Sequence, residues 1–550
     1  MKKFIFAFLL LPFIAGNTYS QIQLWADRFD GLHDSTDVAK AVTTDSQGNV
    51  YVTGYSSSLI LFTQIVTIKY NPAGIEQWHR SYGLILYNEG NAIAVDDSGN
   101  VYVAGFSYGL LSLSDMIVIK YNSLGVQKWV YTYNGSGDGM DVANSLKVDA
   151  QHNVYVTGSA FRGLLILGNT DFATIKLNIN GVQQWVSTYD GPAHGNDASV
   201  KIALDQTNNV YISGSSPGVG SMQDYATVKY NNNGVQQWVM RYNGSGNGDD
   251  IPHDLATDNS GNVIVTGESK GNGTGTDYAT VKYNSTGVQQ WASRYNGGGA
   301  GEDRAYAIVI DNTDNPFVTG ESQGSTSSYD YATIRYNSAG VQQWASRYNG
   351  TGNNEDRAYA IVIDNTDNVF VTGSSRTTSQ SGSENYTTLK YNSAGTQQWM
   401  ASYNGTGNNT DEAYAITLDN ANNVIVTGSS RSGSILGTED YLTVKYADTE
   451  VTTGISTISN TIPEKFNLYQ NYPNPFNPTT RIKIDIPAQS DVKLVVYDML
   501  GVERAVLINQ KLNAGEFEIN WDGTDYSSGI YFYKLITGTK SETRKMILLK

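Results

Sequence analysis

The chain of 550 residues contains no cysteine, only five histidines, and 36 lysines and arginines against 52 aspartates and glutamates. Without cysteine it is neither a disulfide-stapled scaffold nor a thiolate enzyme. The shortage of basic residues, with a formal net charge of −16, argues against a protein that tracks nucleic-acid phosphates. Histidine is too sparse and scattered for common hydrolytic chemistry. His33, His79, His152, His194 and His253 form no HExxH pair, and neither a nucleophile elbow with a histidine partner nor a Walker loop occurs. Long apolar runs are missing too. The best, Phe4 to Ile14, is broken by Pro12 and falls well short of the roughly 20 residues that span a bilayer. What is abundant is glycine (56), tyrosine (38) and, for a chain of this length, tryptophan (9).

Lys2 and Lys3 precede that short apolar run, and small or polar residues follow from Gly16 to Ser20. A basic start, an apolar centre and a small-residue exit predict a secretory signal peptide over residues 1–20 and an exported mature chain.

Periodicity accounts for the tryptophan. Trp25, Trp78, Trp129, Trp185, Trp238, Trp291, Trp344 and Trp399 recur every 51 to 56 residues. A Val-Thr-Gly segment recurs in step with glycines at Gly54, Gly105, Gly158, Gly214, Gly267, Gly320, Gly373 and Gly428. A basic residue, usually followed by Tyr-Asn, recurs from Lys69 to Lys445. One unit divides into four segments rich in aromatic or β-branched residues, Gln290 to Tyr295, Ala305 to Ile310, Pro316 to Thr319 and Tyr331 to Tyr336. Asn, Asp and Gly clusters separate them, the pattern of short strands closed by tight turns. Four antiparallel strands per unit, repeated eight times, predict an all-β fold with an eight-bladed β-propeller over residues 21–446, because a lone blade cannot bury both faces and a ring of blades can. The unit order starts at a Trp strand and ends at a Lys-Tyr strand. Closure by simple apposition of whole blades and closure by pairing the chain's start with its end both fit this order, and an open solenoid is the alternative to a ring.

Residues 447–462 are rich in Thr, Ser and Gly and read as a linker. Residues 463–550 carry nearly balanced charge, so the net acidity belongs to the repeats. Five alternating or apolar segments with no helical pattern predict a small, Ig-like β-sandwich there. Pro473, Pro475 and Pro478 predict an extended entry strand.

The recurring Asp-x-x-Gly-Asn-Val-Tyr-Val-Thr-Gly, Tyr-Ala-Thr-Val-Lys-Tyr-Asn and Gly-Val-Gln-Gln-Trp segments resemble the bacterial SBBP β-propeller repeat. That resemblance implies a fold and an extracytoplasmic location, and no agreed activity. Asn471-Tyr-Pro-Asn-Pro-Phe-Asn-Pro478, Val496-Tyr-Asp-Met-Leu-Gly501, Ser528-Gly-Ile-Tyr-Phe-Tyr-Lys534 and the terminal Lys545 to Lys550 resemble the type A C-terminal sorting domain of the type IX secretion system. The resemblance implies that Asn474, Pro475, Phe476, Asn477, Pro478, Gly529, Tyr531 and Lys534 belong to a sorting motif. It also implies that the secretion machinery is a partner and that the chain is secreted or displayed on the outer surface of a bacterium with an outer membrane.

Two features carry candidate chemistry. Eight residues before each turn aspartate an acidic residue recurs, including Asp250, Asp303, Asp356 and Asp411, with Asn88 in the second unit. Its simplest role is a turn or interblade hydrogen-bond acceptor; the alternative is a ring of calcium sites, without any Asp-x-Asp-x-Asp-Gly loop to support it. The loops between the Val-Thr-Gly and Lys-Tyr strands are apolar in the first three units and mostly polar later. On a ring, such neighbouring loops form one patch, and Leu59, Leu61, Leu111 and Leu165 are its candidate partner-binding residues. The sequence therefore predicts an exported binding or adhesion protein whose partner is an extracellular protein or glycan. The alternative is an extracellular polysaccharide hydrolase or lyase. A quinoprotein-like dehydrogenase is a weaker reading, prompted by the Gly-x-x-x-Trp repeat but lacking the vicinal cysteines those enzymes typically carry.

Overall fold

A computed structural model describes residues 19–550 except 21, 32–34, 60–61, 84–85, 110–112, 165–167, 299–300, 326, 377, 379–381, 406–408, 433–437, 449–455, 460–462, 500, 502, 513, 524–525 and 539. The described residues form strands and no helix. The signal-peptide reading of residues 1–20 falls outside them, save the last two.

Residues 23–448 build eight antiparallel four-stranded blades arranged in a closed ring, and Tyr19–Ser20 adds a short fifth, parallel strand to the sheet of blade 7 beside Gln397–Tyr403. Blade 1 comprises Asp37–Thr44, Val50–Leu59, Phe62–Tyr70 and Glu76–Tyr82, and blade 2 Asn88–Val95, Val101–Tyr108, Ser114–Tyr121 and Gln127–Tyr133. Blade 3 runs Val142–Val148, Val154–Arg162, Asn169–Leu177 and Gln183–Tyr189; blades 4 to 7 follow in the same order. First strands of consecutive blades are neighbours all round the ring, and that of blade 8 (Asp411–Leu418) returns to blade 1.

The sequence unit and the blade are out of phase by one strand. The Trp strand, read from sequence as the start of a unit, is the fourth strand of the preceding blade. Gln23–Phe29 therefore completes blade 8 by pairing antiparallel with Glu439–Tyr446, and Arg28 donates to Asp440 at 2.7 Å across that seam. Of the two closures left open by the unit order, the ring uses pairing of start with end. It thereby covers what would be an exposed strand edge.

At seven of the eight interfaces a blade is held to the next through its tryptophan. The indole N–H of Trp291 donates to the Ser338 carbonyl of the following blade at 3.0 Å, and Trp25 makes the same bond to Pro72 across the seam at 3.1 Å. The glycine of Gly-x-x-x-Trp lies under that ring. Gly340 has φ of +80°, and a Cβ there would stand 2.5 Å from Trp291 Cδ2. The third-strand lysine repeats another interblade contact, as Lys229 lies 4.8 Å from the Tyr211 ring centre and donates to Ser285 O at 2.9 Å. Apolar residues of the middle strands, such as Val263, Val265, Ala279 and Val281, fill the space between blades.

The C-terminal unit is a sandwich of two four-stranded sheets. One contains Thr479–Ile486 and Gly515–Asp522, the other Ser490–Tyr497, Gly529–Thr537 and Lys540–Leu548. Ile482, Ile484, Leu494, Trp521, Tyr533 and Leu548 belong to its shared core. Residues 470–478 do not form the extended entry strand expected from their prolines. They make a bent loop with single bridges at Tyr472 and Phe476, because Asn471 bonds the Pro473 carbonyl and Asn474 accepts from the Ile547 N–H.

Candidate binding site

Most repeated polar residues are used up by the ring. Each turn aspartate closes an Asx turn: Asp311 Oδ1 accepts from the backbone N–H groups of Thr313 and Asn315, both at 2.9 Å. Burial alone would raise its pKa, but these bonds hold it below the usual carboxylate value. The acidic residue eight positions earlier is a different device. Asp250, Asp303, Asp356 and Asp411 are buried at the start of the first strands of blades 5 to 8. They accept from the N–H groups of Gly244, Gly297, Gly350 and Gly405, six residues back in the crossover from the preceding blade. Burial pushes Asp356 up to about 6, with the Asp330 charge adding to it and bonds from Ser375, Gly350 and Arg376 opposing it. Among the described residues, none of these four candidates gathers with two further carboxylates.

The candidate apolar patch falls largely outside the described residues, which include neither Leu61, Leu111 nor Leu165, and of Leu59 only the backbone, at the end of its strand. Described residues of blades 1 and 2 and the edge of blade 3 line a cavity of about 420 Å³. It is lined by Tyr55, Phe62, Tyr87, Phe106 and Tyr108, by Met140 and Val142, by Thr and Ser hydroxyls, and by one carboxylate, Glu89. Tyr87 and Tyr108 form an edge-on ring pair at 5.9 Å, and Phe106 stands 6.4 Å from Tyr108. The loop before blade 2 is fixed by Thr63 N–H to Leu86 O at 2.9 Å and Tyr108 N–H to Tyr87 O at 3.2 Å. Glu89 is ion-paired with Lys40, which also lies over Tyr55. Burial, followed by the Glu89 charge, pushes the Tyr55 phenol up to about 12. Leu86, Tyr87 and Met140 remain more than a third exposed at this rim.

The same ring positions are filled differently across the axis. The residue after the Val-Thr-Gly glycine is Tyr55 or Phe106 in blades 1 and 2, but Glu268 and Glu321 in blades 5 and 6. Glu321 is buried and accepts from Arg304 and Arg357, each at 2.7 Å, and from the Tyr306 hydroxyl at 3.0 Å. Arg304 also holds Glu268 at 2.8 Å. One half of the rim is thus a closed ion network, and the other is an open aromatic cleft. Sequence reading named loop leucines that lie largely outside the described residues and missed Tyr87, Tyr108 and Glu89. The available signal was the replacement of Glu or Ser by Tyr and Phe after Gly54 and Gly105.

In the C-terminal unit, the residues implied as a sorting motif separate into anchors and exposed groups. Phe476 and Tyr531 are buried against Trp521, with ring centres 5.2 and 5.8 Å away, and Phe476 bridges to the terminal strand through Ile547 and Leu549. Asn474, Pro475, Asn477 and Gly529 are exposed, Pro478 is half-buried, and so is Lys534 in the strand Gly529–Thr537.

Comparison with known proteins places these features. Residues 470–549 match the secretion system C-terminal sorting domain, and residues 31–60 and 77–111 match the SBBP beta-propeller repeat. An uncharacterized WD repeat-containing protein of Acanthamoeba polyphaga mimivirus is 23% identical over 450 residues, covering 64% of this chain and only 30% of that protein's length. Among solved structures, PorZ, described as an essential bacterial surface component of the type-IX secretion system of Porphyromonas gingivalis, is 11% identical. It aligns over 96% of this chain and all of its own, with a TM-score of 0.22. Drosophila plexin A in complex with semaphorin 1b is 9% identical over 78% of this chain and 88% of its own, with a TM-score of 0.37. An α-L-arabinofuranosidase of Fusarium graminearum is 9% identical over 55% and 91%, with a TM-score of 0.34. At such scores no function passes from these structures to this chain. The chain thus carries SBBP beta-propeller repeats and ends in a secretion system C-terminal sorting domain, the type IX secretion signal, which indicates export to the cell surface or secretion in Bacteroidetes.

Proposed function

We propose that the propeller is an extracellular binding module that takes its partner in the aromatic cleft over blades 1 to 3, with the sorting domain serving to deliver it. The observation that carries this reading is the asymmetry of the rim. Blades 5 to 7 neutralise their inward charges on one another through Arg304, Glu321 and Arg357, whereas blades 1 and 2 leave five aromatic rings and Glu89 around open space. Concave sites of a few hundred cubic ångströms with apolar walls and a few placed polar groups are the usual form of small-ligand and side-chain pockets. The partner that fits presents an apolar-faced group, a sugar ring or an apolar side chain, on an extracellular glycan or protein.

The alternative hydrolase or lyase chemistry is less well supported by the same geometry. Glycosidic cleavage uses two carboxylates flanking the bond, and Glu89 is the one carboxylate among the residues lining this cleft, already ion-paired with Lys40. The test is capture on glycan arrays and from extracellular protein fractions by the wild-type chain and by a Tyr87→Ser/Tyr108→Ser variant. Loss of capture at unchanged melting temperature supports the site. A partner held equally by both would place binding elsewhere.

A further inference from the structure

Three of the eight crossovers between blades depart from the common residue at one position, two of them by carrying an aspartate. The chain leaves the fourth strand through Tyr-Asn-Gly at Asn134, Asn243, Asn296, Asn349 and Asn404, through Gly83 at the crossover into blade 2, and through Asp190 and Asp30 at the crossovers into blades 4 and 1. At Asp190 the change adds a third carboxylate to a buried pair, Asp171 on the third strand of blade 3 and Asp197 in the crossover itself. Carboxylate oxygens of the three lie within 4.8 Å of one another.

The donors around this cluster are accounted for, and they reach only one side of it. Arg162 bonds Asp171 Oδ2 at 3.2 Å and Asp190 Oδ2 at 3.0 Å, His194 Nδ1 lies 2.8 Å from Asp190 Oδ2, and the Gly191 N–H donates to Asp197 Oδ2 at 2.7 Å. Ser216 stands beside Asp197. Oδ1 of all three aspartates is buried without a hydrogen-bond partner, and Asp171 and Asp197 are 3% and 0% exposed. Arg162 pairs with Asp171 and Asp190, and Arg241 acts on Asp197 from further off, so the three carboxylates still outnumber the arginines that reach them. The corresponding pairs in blades 4 to 6 carry only two carboxylates and one arginine each, as with Asp224 and Arg241 at 2.8 Å. Placing an aspartate where five crossovers use asparagine makes this site costlier unless a cation enters it.

We propose that Asp171, Asp190 and Asp197 bind one calcium ion, each through a carboxylate oxygen. Calcium takes oxygen ligands at about 2.3–2.6 Å and tolerates irregular geometry, so oxygens up to about 4.8 Å apart fall within its first shell, with water completing the coordination. The ion would staple the crossover between blades 3 and 4. The second aspartate crossover repeats the arrangement, since Asp30 joins Asp37 and Asp440, whose Oδ1 atoms are likewise buried and unpartnered.

Asp190→Asn tests this on the full chain, and the substitution restores the residue used at five other crossovers. Equilibrium dialysis against calcium should show one bound ion fewer per chain than wild type. Calorimetry should show at least a hundredfold loss of affinity at that site, and the rise in melting temperature that calcium gives over a chelator should shrink. Asp171→Asn should do the same and serves if the first variant fails to fold. No calcium bound by the wild type at millimolar concentration, or equal stoichiometry in both variants, would overturn the proposal, as would uptake of magnesium in preference to calcium.

Discussion

The interblade lock can be tested at Gly340, where two separable costs meet. Its φ of +80° is strained for any residue with a Cβ, which costs about 1–2 kcal/mol. An alanine Cβ would also stand 2.5 Å from Trp291 Cδ2 and 2.7 Å from its Cγ, a clash with a ring held by packing and by its bond to Ser338. Overpacking of that kind costs about 1–3 kcal/mol. Gly340→Ala should therefore destabilise the propeller by about 2–5 kcal/mol. Gly220 is the control, because its φ is +85° but nothing lies within 4 Å of the added Cβ, so Gly220→Ala should cost only the backbone strain of about 1–2 kcal/mol. A double-mutant cycle isolates the contact. In a Trp291→Ala background the clash is gone, and Gly340→Ala should cost no more than Gly220→Ala, a coupling of about 1–3 kcal/mol. Urea unfolding followed by far-UV circular dichroism reads all four differences. Equal costs at Gly340 and Gly220, or zero coupling to Trp291, would refute the lock.

Other expectations follow from the same structure. Burial lifts Asp141 and Asp356 to about 6 from an unfolded value of 3.8, so the folded state binds more protons between those values. Their contribution to stability is then greatest below about pH 4 and falls as pH rises to 6, by on the order of 2–3 kcal/mol each. Asx-turn aspartates such as Asp311 shift the other way and lose their contribution only as pH falls below 3.8. The urea midpoint should accordingly be higher at pH 5 than at pH 7.5, and a steady rise over that interval would contradict the assignment. Deleting Gln23–Phe29 strips blade 8 of its fourth strand and uncovers the edge of Glu439–Tyr446, so size-exclusion chromatography should show association. A monomer with the wild-type melting curve would mean that closure does not depend on this strand. In the C-terminal unit, Phe476→Ala empties a core site beside Trp521 and should cost about 3–5 kcal/mol in the unfolding of that unit. A loss below about 1 kcal/mol would show that Phe476 is no anchor.

The ring was legible in the sequence because its contacts repeat with the chain. A tryptophan, a turn aspartate, a glycine and a lysine recur at fixed spacing since nearly every blade makes the same bond to its neighbour, as Trp291 does to Ser338 and Trp25 to Pro72. The phase of the blade was not legible. Trp25 opens the first unit in sequence and closes the last blade in space, and only strand pairing distinguishes these. Nor could spacing reveal which carboxylates meet. Asp171, Asp190 and Asp197 come from a strand, a crossover and the next blade's edge, so their convergence depends on how two blades sit against each other. The cleft was not legible, because Tyr87 and Glu89 belong to no repeated pattern, and the apolar loops singled out in sequence lie largely outside the described residues.

Repetition constrains where function can lie. A residue that holds adjacent blades together must appear in nearly every blade, and altering it in one place opens the ring there. Specific binding needs the opposite, a position free to differ between blades. The residue after the Val-Thr-Gly glycine meets that condition, being Tyr55, Phe106, Ser159, Ser215, Glu268, Glu321, Ser374 and Ser429 in turn, while the glycine before it is invariant across the eight. A Cβ on that glycine would meet the backbone oxygen of the first strand, at 1.9 Å for Gly54 and 1.8 Å for Gly105, which explains the invariance. The freedom of the next position explains how one half of the rim became an Arg–Glu network and the other an aromatic cleft on the same scaffold. The cleft and the third carboxylate at Asp190 are both departures from the repeat that the ring does not need for closure. In a molecule whose common residues are spoken for by packing, these are the places where chemistry beyond packing is to be sought.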